Sequence, residues 1–186
     1  MICDSNKNGY SYISKDNWNV HYTAADGTKI TCRGKNNRGE KPNALIQDKW
    51  ESAVNGAIDF SDSLSKVENT NISLVTFSGS ASIATEFSHT ALTARDFGHP
   101  EGNTNLQAGL SNAIDKLKEI TDPNAQKYIV VIGDGQPTSG GSNGKSATDR
   151  AMDRAYEAKN DNKITVFSIG YGIENDATAK DVLKKI

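Results

Sequence analysis

The stretch Tyr128–Ser146, YIVVIGDGQPTSGGSNGKS, holds two groups of residues that could do chemistry. One is Gly144-Lys145-Ser146, which ends like a phosphate-binding loop. The other is Gly133-Asp134-Gly135, a carboxylate set between glycines directly after an apolar run. The first would cradle a nucleotide. The second would hold a hard cation, or only shape a turn.

The phosphate-loop reading fails on spacing. Such a loop needs a glycine, four residues, then Gly-Lys-Ser/Thr. Counting back, that glycine belongs at 139, where this chain has Ser139. The apolar run also ends well before Gly144, and Gln136-Pro137-Thr138 favours a turn over a cradle of amides. Gly144-Lys145-Ser146 therefore reads as a polar loop, with Lys145 solvated and Ser146 capping the next helix. Asp134 remains, and two further pieces join it. Gly102-Asn103-Thr104-Asn105-Leu106 sets a hydroxyl at the mouth of a helical pattern, and Asp4-Ser5-Asn6-Lys7-Asn8 follows the apolar Met1-Ile2-Cys3. Each has a plainer use as well: Asp134 as a turn former, Thr104 as a helix cap, Asp4, Asn6 and Asn8 as solvated terminal or turn residues.

The elements that position these pieces follow from periodicity. Ile46, Trp50, Ala53, Val54, Ala57, Ile58 and Leu64 recur at helical spacing, so a helix runs from an Asn43 cap to about Ser65. ISLVTF (72–77) reads as a buried strand, and SIATEF (82–87) as its hairpin partner. Leu106, Leu110, Ala113, Ile114, Leu117 and Ile120 mark a second helix, capped near Asn103 or Thr104. YIVVIG (128–133) reads as a strand buried on both faces. A helix at 146–160 shows a small face of Ala151, Ala155 and Ala158; ITVFSIG (164–170) is a further strand, and a last helix begins at Asp176. Ahead of these, WNVHYT and TKITCR read as a hairpin over 18–33. Strands alternating with helices predict an α/β fold with a mainly parallel sheet, whose ligands bind beyond the carboxyl ends of the strands.

Composition narrows the function classes. The 186 residues suit one domain, and the net charge of −2 offers no general attraction to nucleic acid or anionic membrane. No apolar run reaches the roughly 20 residues of a membrane span. Cys3 and Cys32 fit no zinc spacing; they read either as two free thiols or as a disulfide tying the N-terminus to the following loop. His21, His89 and His99 lie in polar surroundings without a paired nucleophile, so no hydrolase constellation is expected.

The three pieces together resemble the von Willebrand factor type A family. There a first strand ends in Asp-x-Ser-x-Ser, a later loop supplies a threonine, and a further strand ends in an Asp, often within Asp-Gly-x-Pro. Asp134-Gly135-Gln136-Pro137 matches the last motif and Gly102-Asn103-Thr104-Asn105-Leu106 the threonine loop, while the order of elements from Asn43 to Ile186 matches as well. Asp4-Ser5-Asn6-Lys7-Asn8 departs, with asparagines in place of both serines. The hairpin-bearing segment at about 9–42 is an insertion where the family has a short loop. The first strand is central in the family's sheet, and three residues span only about 10 Å. The chain is therefore expected to be a fragment trimmed at both ends.

The resemblance implies a Rossmann-like three-layer α/β/α sandwich and a metal-ion-dependent adhesion site. Asp4 and Asp134 would offset the charge of Mg²⁺ (or Mn²⁺ or Ca²⁺), with Thr104 and the Asn6 and Asn8 amides as neutral oxygen ligands. One open position would take a carboxylate from a protein or extracellular-matrix ligand. The expected function is cation-dependent adhesion without catalysis, at a bacterial cell surface or pilus. The alternatives are a metal-independent scaffold domain of a larger assembly, favoured by the two asparagines, and a magnesium-dependent subunit of an intracellular ATP-driven machine.

Overall fold

The computed structural model describes residues 11–15, 19–23, 29–33, 44–97, 102–173 and 176–186. It divides into two units, Met1–Asn55 and Gly56–Ile186. In the first, β1 (Ser11–Lys15), β2 (Asn19–Thr23) and β3 (Lys29–Arg33) form an antiparallel sheet in the order β1-β2-β3. The expected hairpin is β2–β3, paired from Asn19↔Arg33 to Thr23↔Lys29. β1 adds a third strand, with a register shift between Tyr12 and Ser14. The long helix α1 (Ala44–Ser65) follows.

The second unit contains the last turns of α1, then β4 (Ile72–Phe77), β5 (Ala81–Ser88), a 3₁₀ turn at Ala94–Asp96, α2 (Leu106–Lys118), β6 (Tyr128–Gly133), α3 (Ala147–Tyr156), a π-helical turn at Glu157–Asp161, β7 (Thr165–Gly170) and α4 (Ala177–Lys185). β4 and β5 are an antiparallel hairpin whose ladder slips between Ile72 and Val75. Thr85 repairs the slip: its hydroxyl accepts from the Leu74 amide at 2.9 Å, and its carbonyl accepts from the Ser73 hydroxyl at 2.7 Å. β6 and β7 run parallel in unbroken register, from Tyr128↔Thr165 to Gly133↔Gly170. A parallel pair needs a crossover, and α3 supplies it.

α2 buries Leu106, Leu110, Ile114 and Leu117, the stripe its period predicts. They join Ile129 and Val131 of β6, Ala151, Ala155 and Ala158, Ile164, and Ala179, Val182 and Leu183 of α4 in one core. The small face of α3 allows close packing; α3 and α2 pack directly. Gly109 has a similar reason to lie inside a helix. A Cβ there would stand 2.9 Å from Phe77 Cδ1, so glycine lets α2 lie against β4. Ser61, only 1% exposed, donates to the Ile58 carbonyl and accepts from the Leu92 amide, so its burial leaves no polar group unpaired.

Two expectations are corrected. β6 is buried on one face only: Ile129 and Val131 are in the core, whereas Tyr128 is 52% exposed. On β7, Phe167 and Ile169 are exposed too, and the Phe167 ring stacks on Tyr128 with centroids 6.4 Å apart. A continuous apolar run does not reveal how many faces are covered. β4, expected to be buried, is half-buried along its whole length.

Candidate metal-binding loops

The carboxyl end of β6 faces the N-terminus of α2 through three loops joined by hydrogen bonds. The first connects β4 to β5 through Ser78–Ser80. The second enters α2 through Gly102–Asn105. The third leaves β6 as Asp134-Gly135-Gln136-Pro137-Thr138-Ser139-Gly140. Asp134 is exposed where β6 ends, whereas Pro137 is buried and anchors the loop behind it.

Thr104 is joined to the third loop by three bonds. Its amide donates to Thr138 Oγ1 at 2.8 Å. Its carbonyl accepts from the amides of Thr138 at 2.9 Å and Ser139 at 3.2 Å. Asn105 joins the second loop to the first. Its amide donates to the Ser78 carbonyl at 2.6 Å, and its side-chain nitrogen donates to the Gly79 carbonyl at 3.1 Å. The same side chain caps α2, with Oδ1 accepting from the Ala108 amide at 3.1 Å. The cap is thus Asn105, not Asn103 or Thr104, which leaves the Thr104 hydroxyl without a capping duty.

Gly140 completes the junction. Its φ of 94° is left-handed, and a Cβ there would lie 2.3 Å from Asn105 Oδ1. Only glycine satisfies both the backbone conformation and the contact. On the other side, the Tyr171 amide donates to the Gly133 carbonyl at 2.9 Å, continuing the β6–β7 ladder. Gln136 Nε2 approaches Asp176 Oδ1 at 3.4 Å, and Asp176 caps α4 through the Ala179 amide.

Of the residues expected to form the site, Thr104 and Asp134 therefore lie on adjoining loops held in register. Asp4, Asn6 and Asn8 lie outside the described residues, as does the Cys3–Cys32 question. Among the described residues, no hydrogen bond or ion pair occupies the Asp134 carboxylate or the Thr104 hydroxyl. Both are hard oxygen donors of the kind Mg²⁺ takes, so the described part of the donor set fits such an ion. The described residues contain no cluster of three or more His, Cys, Asp and Glu that could hold a metal. A complete site would need donors beyond these two.

Gly144-Lys145-Ser146 is occupied by structural work. Ser142 and Lys145 pair across a tight turn in which Asn143 has φ 53° and Gly144 φ 76°. Lys145 Nζ lies 2.7 Å from Asp153 Oδ2, so the lysine is exposed but paired. Ser146 caps α3 in a capping box with Asp149. The Ser146 hydroxyl, then its amide, holds the Asp149 carboxyl below the usual carboxylate range.

The sequence reading missed Asn105, Thr138 and Gly140. An Asn directly before an apolar-periodic helix start is a standard cap signal and could have found Asn105. It also missed Lys116, a buried lysine between Glu86 and Glu119, each at 2.5 Å, with Nζ 5.7 Å from the centre of the Phe87 ring. Hydrogen bonding to Glu119, then to Glu86, pushes its pKa up, so it is held charged as a packing element.

No curated protein matches the chain closely enough to count as a relative. The family model for the von Willebrand factor type A domain matches residues 44–186. That span covers every element of the second unit and the Thr104 and Asp134 loops, and excludes the three-stranded sheet. The chain belongs to the von Willebrand factor type A family, whose Rossmann-like α/β domains bind proteins and other ligands.

Proposed function

We propose that this domain binds a protein or extracellular-matrix ligand through a divalent cation, without catalysis. The observation that carries the reading is the junction at Thr104: a family threonine loop and a family Asp-Gly-x-Pro loop are bonded together, with both donors unengaged among the described residues. Asp134 and Thr104 would hold the ion there, with Asp4, Asn6 and Asn8 as the further donors. Mg²⁺ supplies a Lewis-acidic centre with an open position for a ligand carboxylate. The chain's own part is to fix the donors and leave that position free. Few protein carboxylates around the ion keep its charge available to the partner.

The parallel β6–β7 pair fits one part of a mainly parallel sheet in a three-layer sandwich, with the donor loops at its carboxyl edge. A bacterial cell-surface or pilus setting is consistent with the polar, asparagine-rich composition. The rival reading is a metal-independent scaffold domain, and the asparagines at 6 and 8 favour it. Isothermal titration of metal-stripped protein with MgCl₂ separates the two. Cation-dependent binding predicts saturable uptake that Asp134→Ala and Thr104→Ala each weaken at least about tenfold, the effect of losing one charge-assisted contact. Absence of uptake by the unaltered protein selects the scaffold.

A further inference from the structure

We infer that Thr138 is a positioning residue for the cation site: it sets the place of Thr104 relative to Asp134 and so raises the site's affinity for metal. The inference rests on the cation-site reading above and adds to it a residue that need not touch the ion.

Thr138 lies four residues beyond Asp134 on the same loop. It contacts Thr104 in two directions: its Oγ1 accepts from the Thr104 amide, and its own amide donates to the Thr104 carbonyl. A reciprocal pair of this kind fixes both the distance and the rotation of one loop on the other, as paired bonds do in a strand ladder. Ser139 adds a third bond to the same carbonyl. The backbone bonds need only the peptide unit, which any non-proline residue supplies. The Oγ1 bond needs a hydroxyl at 138, and it is the side-chain part of the junction.

The surroundings make the pair a fixed point. Behind Thr138, Pro137 is buried and restricts the backbone. Ahead of it, Gly140 packs against Asn105, which also ties the Thr104 loop to Ser78 and Gly79 and caps α2. The Thr104 loop is thus anchored to helix α2 and the β4–β5 turn, and the Asp134 loop to β6. Thr138 is where the two anchored frames meet through a side chain. Thr138 is exposed, so its hydroxyl has water as an alternative partner, and burial does not force the bond. Donors fixed before the ion arrives lose less conformational freedom on binding it.

The test is Mg²⁺ titration by calorimetry on the unaltered protein, Thr138→Val and Thr138→Ser, with amide hydrogen exchange at Thr104 followed in the metal-free state. Valine keeps the branched shape and removes the acceptor; serine keeps the acceptor. Thr138→Val is expected to bind Mg²⁺ about three- to tenfold more weakly, the effect of one hydrogen bond. Thr138→Ser is expected to restore affinity to within about twofold of the unaltered protein. The Thr104 amide should exchange faster in the valine variant and not in the serine variant. If the valine variant folds poorly, Thr138→Ala replaces it. A Thr138→Val protein with unaltered Mg²⁺ affinity, or a serine variant as weak as the valine one, overturns the inference and leaves the cation-site reading standing. An unaltered protein that takes up no Mg²⁺ overturns both.

Discussion

The loop between β6 and α3 has two glycine-rich halves that look alike in sequence and are held in different ways. The first half, 134–140, is bonded outward. Thr138 and Ser139 hold the Thr104 loop, and Gly140 fits against the Asn105 cap of α2. The second half, 141–146, is bonded to itself and to the helix it starts: Ser142 to Lys145, Lys145 to Asp153, Ser146 to Asp149. The first half holds the Asp134 loop against the Thr104 loop. The second closes a turn and begins α3. Glycine content is shared; what separates the halves is where their hydrogen bonds go.

Substitutions at Gly140 and Gly144, the left-handed glycines of this loop, should separate its halves most visibly. Gly140→Ala must adopt a strained φ and push on Asn105 Oδ1, disturbing the α2 cap and the Thr104 loop together. A cost of about 2–4 kcal/mol is expected, from left-handed strain plus overpacking, with weaker Mg²⁺ uptake. Gly144→Ala carries the strain alone, since a Cβ there meets nothing within 4 Å. About 1–2 kcal/mol is expected, with Mg²⁺ uptake unchanged. Urea denaturation of the two variants measures the difference, and equal losses would show that the halves are not distinct.

Ser146→Ala acts on the self-bonded half alone. Removing this cap should cost about 1 kcal/mol in the same denaturation and leave metal uptake alone. The effect should also depend on pH. The Asp149 carboxyl is held below its ordinary value chiefly by the Ser146 hydroxyl. Its stabilising contribution is therefore present above the ordinary carboxylate range and lost as pH falls through the lowered folded value. Glu157, lowered chiefly by Arg154, follows the same sign. The stability gap between the unaltered protein and Ser146→Ala should narrow in acid; a gap constant with pH would separate the cap from the Asp149 carboxylate. The smallest change is expected from Lys145→Ala, which loses one exposed ion pair and should alter stability by at most about 1 kcal/mol. Loss of metal uptake in that variant would show that the second half also serves the cation.

Much of the fold could be read before the structure because it rests on period and punctuation. The stripe on α2, the small face of α3 and the span of β6 follow from residue spacing alone. So does the use of Ser146 as a cap. The one-sided burial of β6 could not be read, because Tyr128 and Phe167 are as apolar in sequence as residues that are covered. At the site, Thr104 and Asp134 were legible as motif positions. The bonds that bring their loops together were not, since most are backbone to backbone and place no demand on residue type. Gly140 shows the limit most clearly: its neighbour Gly141 looks identical in sequence, yet only Gly140 has a left-handed φ and contact with Asn105.

The proposed role of the outward-bonded half of this loop is to serve a divalent cation. Its most direct test is the thermal melting of metal-stripped protein with and without millimolar MgCl₂, beside Asp134→Ala. A ligand bound only by the native state adds about 2.7 kcal/mol at 100 times its dissociation constant. A cation held by Asp134 should raise the melting temperature, and the rise should disappear in Asp134→Ala. A melting temperature indifferent to Mg²⁺ in the unaltered protein, or a rise that survives in Asp134→Ala, would contradict it.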